Sequence, residues 1–191
     1  MTDTALILVD IQNDYFENGN WPVAKMDTAS ANAARLLEQA RKSGHLIVHI
    51  HHEIPSDDAP FFRPGTDGAR IHASVAPQKG EATILKHHPN SFRETGLLAL
   101  LQDSGIRNVT ICGAMSQMCI DATTRAAADF GFDVTVAEDA CGAKEVSFGN
   151  MQVGPDQVPR HDHGSTRRHL CAGHENRSIS CWQRLTSASS S

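Results

Sequence analysis

The chain has 191 residues, with 17 Lys and Arg against 22 Asp and Glu and a net charge of −5 at pH 7. That length suits one domain with a sizeable core, and the acidic balance gives no basic footprint for nucleic acid. No apolar run approaches the ~20 residues that cross a bilayer, the N-terminus lacks a signal-peptide pattern, and the five cysteines form no CxxC pair, which suits a reducing cytoplasm.

Thr4 to Asp10 (TALILVD) is a near-continuous apolar run, as expected of a strand buried on both faces, and it ends in Asp10. Thr28 to Ser43 repeats Ala29, Ala33, Leu36, Leu37 and Ala40 at helical spacing and stops at Ser43-Gly44. His45 to Ile50 is a second strand. Residues 52 to 82 are rich in Pro, Gly and charge and predict a long irregular excursion, a kind of loop that is often functional. Its Phe61, Phe62 and Pro64 suit a pocket cover, internal packing or a dimer contact. Thr83 to Lys86 is a short strand, Thr95 to Ser104 a Leu-rich helix, and Val109 to Cys112 a strand. Cys119 to Phe130 is a helix with Ile120, Ala122, Ala126, Ala127 and Phe130 on its apolar face, and Val134 to Ala137 is the next strand.

Strands alternating with helices predict an α/β fold, a parallel sheet with helices on both faces. Ligands of such sheets bind at the carboxyl ends of the strands. Asp10, Lys86 and Cys119 all lie at or just past strand C-termini, so three residues distant in sequence converge on one edge. The first turn of a helix offers unpaired N–H groups and a positive dipole end, which push a thiol there towards thiolate. Asp10 would take the thiol proton and return it to a leaving amine. Lys86 would steady the charges, and N–H groups around residues 115 to 119 would bind an oxyanion. A buried Asp–Lys pair beside a core cysteine fits the same positions without chemistry.

The segments LILVDIQNDYF, ILKHHPNSF and ICGAMSQMCIDATTRAAADFGFDVTVAEDAC resemble the three signature regions of the isochorismatase-like cysteine hydrolases, in that family's order and spacing. The resemblance runs from about Thr4 to Asn150. It implies a doubly wound α/β fold with a six-stranded, mostly parallel sheet flanked by helices. It also implies a triad of Asp10 as general base, Lys86, and Cys119 as nucleophile. By the same resemblance the peptide between Ala114 and Met115 is cis, and the N–H groups of Met115 and Cys119 form the oxyanion hole. Gln12, Asn13 and Phe92 fall near the substrate pocket of relatives, and His87 and His88, next to Lys86, suit a substrate contact or the start of a loop.

Family members include nicotinamidases, carbamoyl-amide hydrolases and isochorismatases. Nicotinamidases carry an Asp-x-His metal pattern after the second strand. This chain has His49-Ile50-His51-His52-Glu53 there and His72 later. Alternate strand residues face opposite ways, so His49 and His51 share a face that His52 does not. The expectation is no metal and no organic cofactor, with these histidines as a pocket wall or subunit contact. Isochorismatases that cleave a vinyl ether can work without the cysteine, so retention of Cys119 favours C–N cleavage of a small amide or ureido-type molecule through a thioester. An ether hydrolase and a non-catalytic binding or scaffold domain are the alternatives. A homodimer or larger homo-oligomer is expected, with a small molecule as the other partner and neither nucleic acid nor membrane.

After about Val158 the composition changes. Residues 159 to 191 hold Arg160, Arg167, Arg168, His161, His163, His169 and His174 and a serine-rich end, with almost no helical period. Residues 1 to 158 therefore read as the hydrolase domain and 159 to 191 as an atypical polar tail. A terminal segment of this kind suits disorder or metal binding. The favoured reading is a shifted reading frame. Read from the second base of the Pro159 codon, the degenerate codons permit HATIMAALAGTYA, an Ala-rich helix leading towards the missing last strand.

Overall fold

The computed structural model describes residues 2–148 and 151–154. Strand β1 (Thr4–Val9) lies at the centre of a five-stranded sheet with β2 (Leu46–His52), β3 (Ala82–Lys86), β4 (Asn108–Ala114) and β5 (Asp133–Gly142), in the order β3-β2-β1-β4-β5. Every neighbouring pair in it is parallel. Burial on both faces explains the apolar run of β1, where alternation sends Leu6 and Leu8 to one side and Ala5, Ile7 and Val9 to the other.

The first face packs against α1 (Met26–Ser43), which buries Met26, Ala29, Ala33, Leu36, Leu37 and Ala40 along one stripe. Burial of a leucine such as Leu36 or Leu37 contributes about 1.5–3 kcal/mol. Gly44, at φ 66°, ends α1 by donating its N–H to the carbonyls of Ala40 and Arg41. The second face packs against α2 (Leu97–Asp103) and α3 (Asp121–Asp129) through Leu97, Leu101 and Ala127. On α3 the buried stripe differs from the apolar reading. Phe130 is 48% exposed, whereas Thr123 is buried because its hydroxyl meets the Ser91 hydroxyl at 2.8 Å and accepts from the Ser91 N–H at 3.1 Å.

Three boundaries also differ from expectation. β2 runs two residues further, to His52, because β3 pairs with it up to the register His52↔Lys86. β5 continues through the polar stretch to Gly142 after a register shift between Ile111 and Gly113. Cys119 does not open the α-helix but lies in a π-helical turn, Ser116–Ile120, that precedes α3. A short antiparallel hairpin, β6 (Val146–Phe148) and β7 (Met151–Val153), follows. The expected sixth strand of the main sheet, the last helix and the tail after 158 lie outside the described residues. Among the described residues no helix is long and apolar enough to cross a membrane.

The excursion between β2 and β3 is irregular but firmly tied down. The segment after β1 runs alongside it: His72 donates to the Ile11 carbonyl (2.8 Å), Asn13 to that of Arg70 (3.0 Å) and Asp14 to that of Gly68 (2.9 Å). The buried Asp14 carboxylate accepts from the N–H of Phe62 (2.7 Å), the N–H of Asn20 (3.1 Å) and the Asn20 side chain (2.8 Å). A Cβ on Gly68 would overlap that carboxylate. Asp14→Ala strips several charge-assisted bonds at once and is expected to lower stability by about 2–4 kcal/mol, read by urea denaturation.

Candidate active site

The strand order changes direction across β1 and β4, and ligands of open α/β sheets bind beyond the carboxyl ends at such a point. Asp10 follows β1 there at φ 53°, a left-handed conformation that Asp tolerates better than most residues. Its N–H donates to the Ile50 carbonyl at 3.0 Å, tying it to β2. Lys86, the last residue of β3, places Nζ 2.7 Å from Asp10 Oδ2, with both side chains 0% exposed. Nζ also donates to the carbonyls of His88 (3.2 Å) and Pro89 (3.4 Å). Burial works against the Lys86 charge, yet the Asp10 carboxylate holds its ammonium above the usual lysine value. A buried charge of each sign is thereby paired.

Cys119 arrives from β4. The Ala114–Met115 peptide is cis, and the π turn follows it, with the Met115 carbonyl accepting from the N–H groups of Met118 (3.0 Å) and Ile120 (3.2 Å). Gly113, at φ 128°, lies so close to β1 that a Cβ there would overlap the Val9 carbonyl oxygen. That approach brings the ends of β1 and β4 together. A carboxylate oxygen of Asp10, a ring nitrogen of His52 and Cys119 Sγ lie within 4.8 Å of one another.

The ionisation expected for Cys119 is reversed. Burial first, and then the Asp10 carboxylate, push its thiol up, and Lys86 opposes them without prevailing. The end of a helix is worth about 0.3–1 kcal/mol, whereas burial moves a pKa by up to several units. Cys119 is therefore a thiol at neutral pH, and its chemistry needs a base at hand. The Asp10 carboxylate, its Oδ2 paired with the Lys86 ammonium at 2.7 Å, has an oxygen within 4.8 Å of Sγ.

His52, which the sequence left among histidines of a pocket wall or subunit contact, joins this cluster. Its Nδ1 lies 3.4 Å from Lys86 Nζ and 3.9 Å from Asp10 Oδ2. Burial and the Lys86 charge depress its pKa to about 4, so the ring is neutral at physiological pH. Gln12 is fully buried and spends its amide on backbone: Nε2 donates to the carbonyls of His52 (2.9 Å) and Ala69 (2.7 Å), and Oε1 accepts from the His52 N–H (2.8 Å). Asn13 holds the carbonyl of Asp67 at 2.9 Å. Phe92 packs in the same apolar cluster as Cys119, near Phe130 and Phe132. The His87 ring is exposed and meets the Glu53 carbonyl at 2.7 Å.

The other histidines disperse. His49 pairs with Glu81 (2.9 Å), which Arg41 also grips (2.6 Å). His51 lines a separate cleft of about 320 Å³ with Glu53, Thr66, Arg70 and Thr83. His72 stacks on Phe16 and bonds Ser74. Phe62 is buried against Tyr15 (ring centroids 4.6 Å apart) and lies 6.0 Å from the His52 ring, so it packs within the chain. Tyr15, buried beside Asp10 and Cys119, is held in its neutral form, mainly by burial. Asp10, His52 and Cys119 are the donor set closest to a metal site among the described residues. A divalent cation there would share Asp10 with the Lys86 ammonium, and that repulsion works against it.

The sequence model of the Isochorismatase domain matches residues 4–153. The chain is 43% identical over 155 residues to the isochorismatase family protein YddQ of Bacillus subtilis, covering 81% of this chain and 86% of that one. It is 35% identical over 138 residues to a streptothricin hydrolase of Streptomyces noursei, covering 71% of this chain and 48% of the relative. The crystal structure of an isochorismatase hydrolase from Oleispira antarctica superposes with a TM-score of 0.79 at 48% identity, over 82% of this chain and 84% of that one.

Proposed function

The chain belongs to the isochorismatase family of hydrolases, and on that basis we propose that it is a cysteine hydrolase cleaving a C–N bond of a small amide or ureido-type molecule. The observation that carries the reading is the meeting of Asp10, Lys86 and Cys119 at the sheet edge, with a neutral thiol beside a carboxylate that Lys86 pairs. The likeness to a streptothricin hydrolase supports hydrolytic chemistry in this part of the family.

In this mechanism the Cys119 proton passes to Asp10 as Sγ attacks the carbonyl carbon, which forms the C–S bond. The N–H groups of Met115 and Cys119 receive the developing oxyanion. Collapse breaks the C–N bond, Asp10 gives its proton to the departing nitrogen, and a thioester remains. Water then gives a proton to Asp10 and attacks the thioester. The acid leaves, and the proton returns to Sγ. Lys86 stays charged throughout, 2.7 Å from Asp10 Oδ2. Residues 1–158 would make up this hydrolase domain.

The reading is tested by exposing the full chain to a panel of primary amides, ureido acids and N-carbamoyl compounds, with an acid quench and intact mass. An acyl adduct that maps to Cys119, with release of amine or ammonia, is the expected result. Turnover without any adduct at Cys119 overturns the thioester route. Without substrate, alkylation of Cys119 by iodoacetamide is expected to be slow at pH 7. It should rise only above the ~8.5 of a free thiol, because burial and Asp10 favour the protonated form.

A further inference from the structure

We propose that His52 is a positioning residue of this site: its imidazole, whose Nδ1 lies 3.4 Å from the Lys86 ammonium, fixes where Lys86 directs its charge. The inference rests on the hydrolase reading above. It is carried by how the ring is held on every side.

His52 and Lys86 are register partners at the ends of β2 and β3, so their side chains leave adjacent strands side by side. The His52 backbone cannot drift, because Gln12 takes both its N–H and its carbonyl, and Gln12 is two residues from Asp10. The ring lies by Phe62, itself fully buried. Lys86 is an ammonium and only donates, so Nδ1 of His52, 3.4 Å away, must accept. In the neutral ring the proton therefore sits on Nε2.

The carbonyls of His88 and Pro89 hold the same ammonium. His52 thus joins Lys86 to the backbone that follows it, and the ammonium keeps its direction towards Asp10. The charged and titratable groups facing the ring are Lys86 and His87 from β3 and the residue after it, Asp10 after β1, and Cys119 from the π turn; Tyr15 lies close to Asp10 and Cys119. A neutral imidazole is the one form of His52 that can accept from Lys86 without repelling it.

The consequence can be read at Cys119, because Lys86 is the cation that favours its thiolate. Hydrogen bonds to charged groups are worth enough to change a rate about 10- to 100-fold. In the full chain, His52→Leu is expected to move the midpoint of iodoacetamide alkylation of Cys119 to higher pH. The rate at pH 8 should fall about 10- to 100-fold. His52→Gln, which can both accept and donate, is expected to recover most of that rate. A purely structural role would change how much protein labels and its melting temperature but not the midpoint.

An unmoved midpoint in His52→Leu overturns the proposal whether or not the protein hydrolyses amides. A shifted midpoint in a chain that forms no thioester supports the role of His52 and counts against the hydrolase reading alone. Nitrogen NMR of the unmutated chain gives an independent check that needs no variant to fold. The Nε2–H tautomer is expected, and an Nδ1–H tautomer overturns the proposal.

Discussion

Cys119→Ala is expected to reduce amide turnover by at least about 10⁴-fold, because losing a nucleophile that acts as part of a unit removes the covalent route altogether. The same change should cost little stability. It removes one buried sulfur from an apolar cluster, and an alanine fits the backbone of the π turn. The pair of measurements separates chemistry from folding: the melting temperature stays near the parent value while kcat/KM collapses. Retention of amide turnover within about tenfold would instead mean that water attacks the carbonyl directly, with no thioester at Cys119.

Gly113→Ala is expected to be the most damaging small substitution for folding. The backbone there adopts φ 128°, and the added Cβ would overlap the Val9 carbonyl oxygen. Backbone cannot move aside as a flexible side chain does, because Val9 and Gly113 are register partners in the centre of the sheet. A loss of about 4 kcal/mol or more is expected, a large part of the ~5–15 kcal/mol by which domains are stable. Gly131→Ala is the control. It also has positive φ, at 89°, but meets open space, so its cost should stay near about 1 kcal/mol. Equilibrium urea denaturation of both variants checks the contrast.

Much of this site was legible in the sequence because its carriers are strand ends. The run TALILV has nowhere to go but a doubly buried strand, and Asp10 is the first charge after it. The short strand before Lys86 and the strand and turn before Cys119 carry the same signal. His52 was harder, since a strand boundary cannot be fixed to one residue and a one-residue change turns a side chain to the other face. It took the pairing of β2 with β3 to place it. Asp14 looks like any loop carboxylate until the excursion folds over it and presents the Phe62 N–H. The π turn has no periodic signature, and the ionisation of Cys119 depends on burial, which the local sequence does not record.

Asp10, His52 and Lys86 stand at the ends of three adjacent parallel strands, β1, β2 and β3. Neighbouring strands lie about 4.8 Å apart. The sheet thus acts as a ruler, and the spacing of these polar groups is a property of backbone hydrogen bonding rather than of any loop. Loops beyond the strand ends can then be exchanged, lengthened or recombined while Asp10, His52 and Lys86 keep their distances. A scaffold of this kind is suited to loop grafting, with the polar groups at its strand ends left in place.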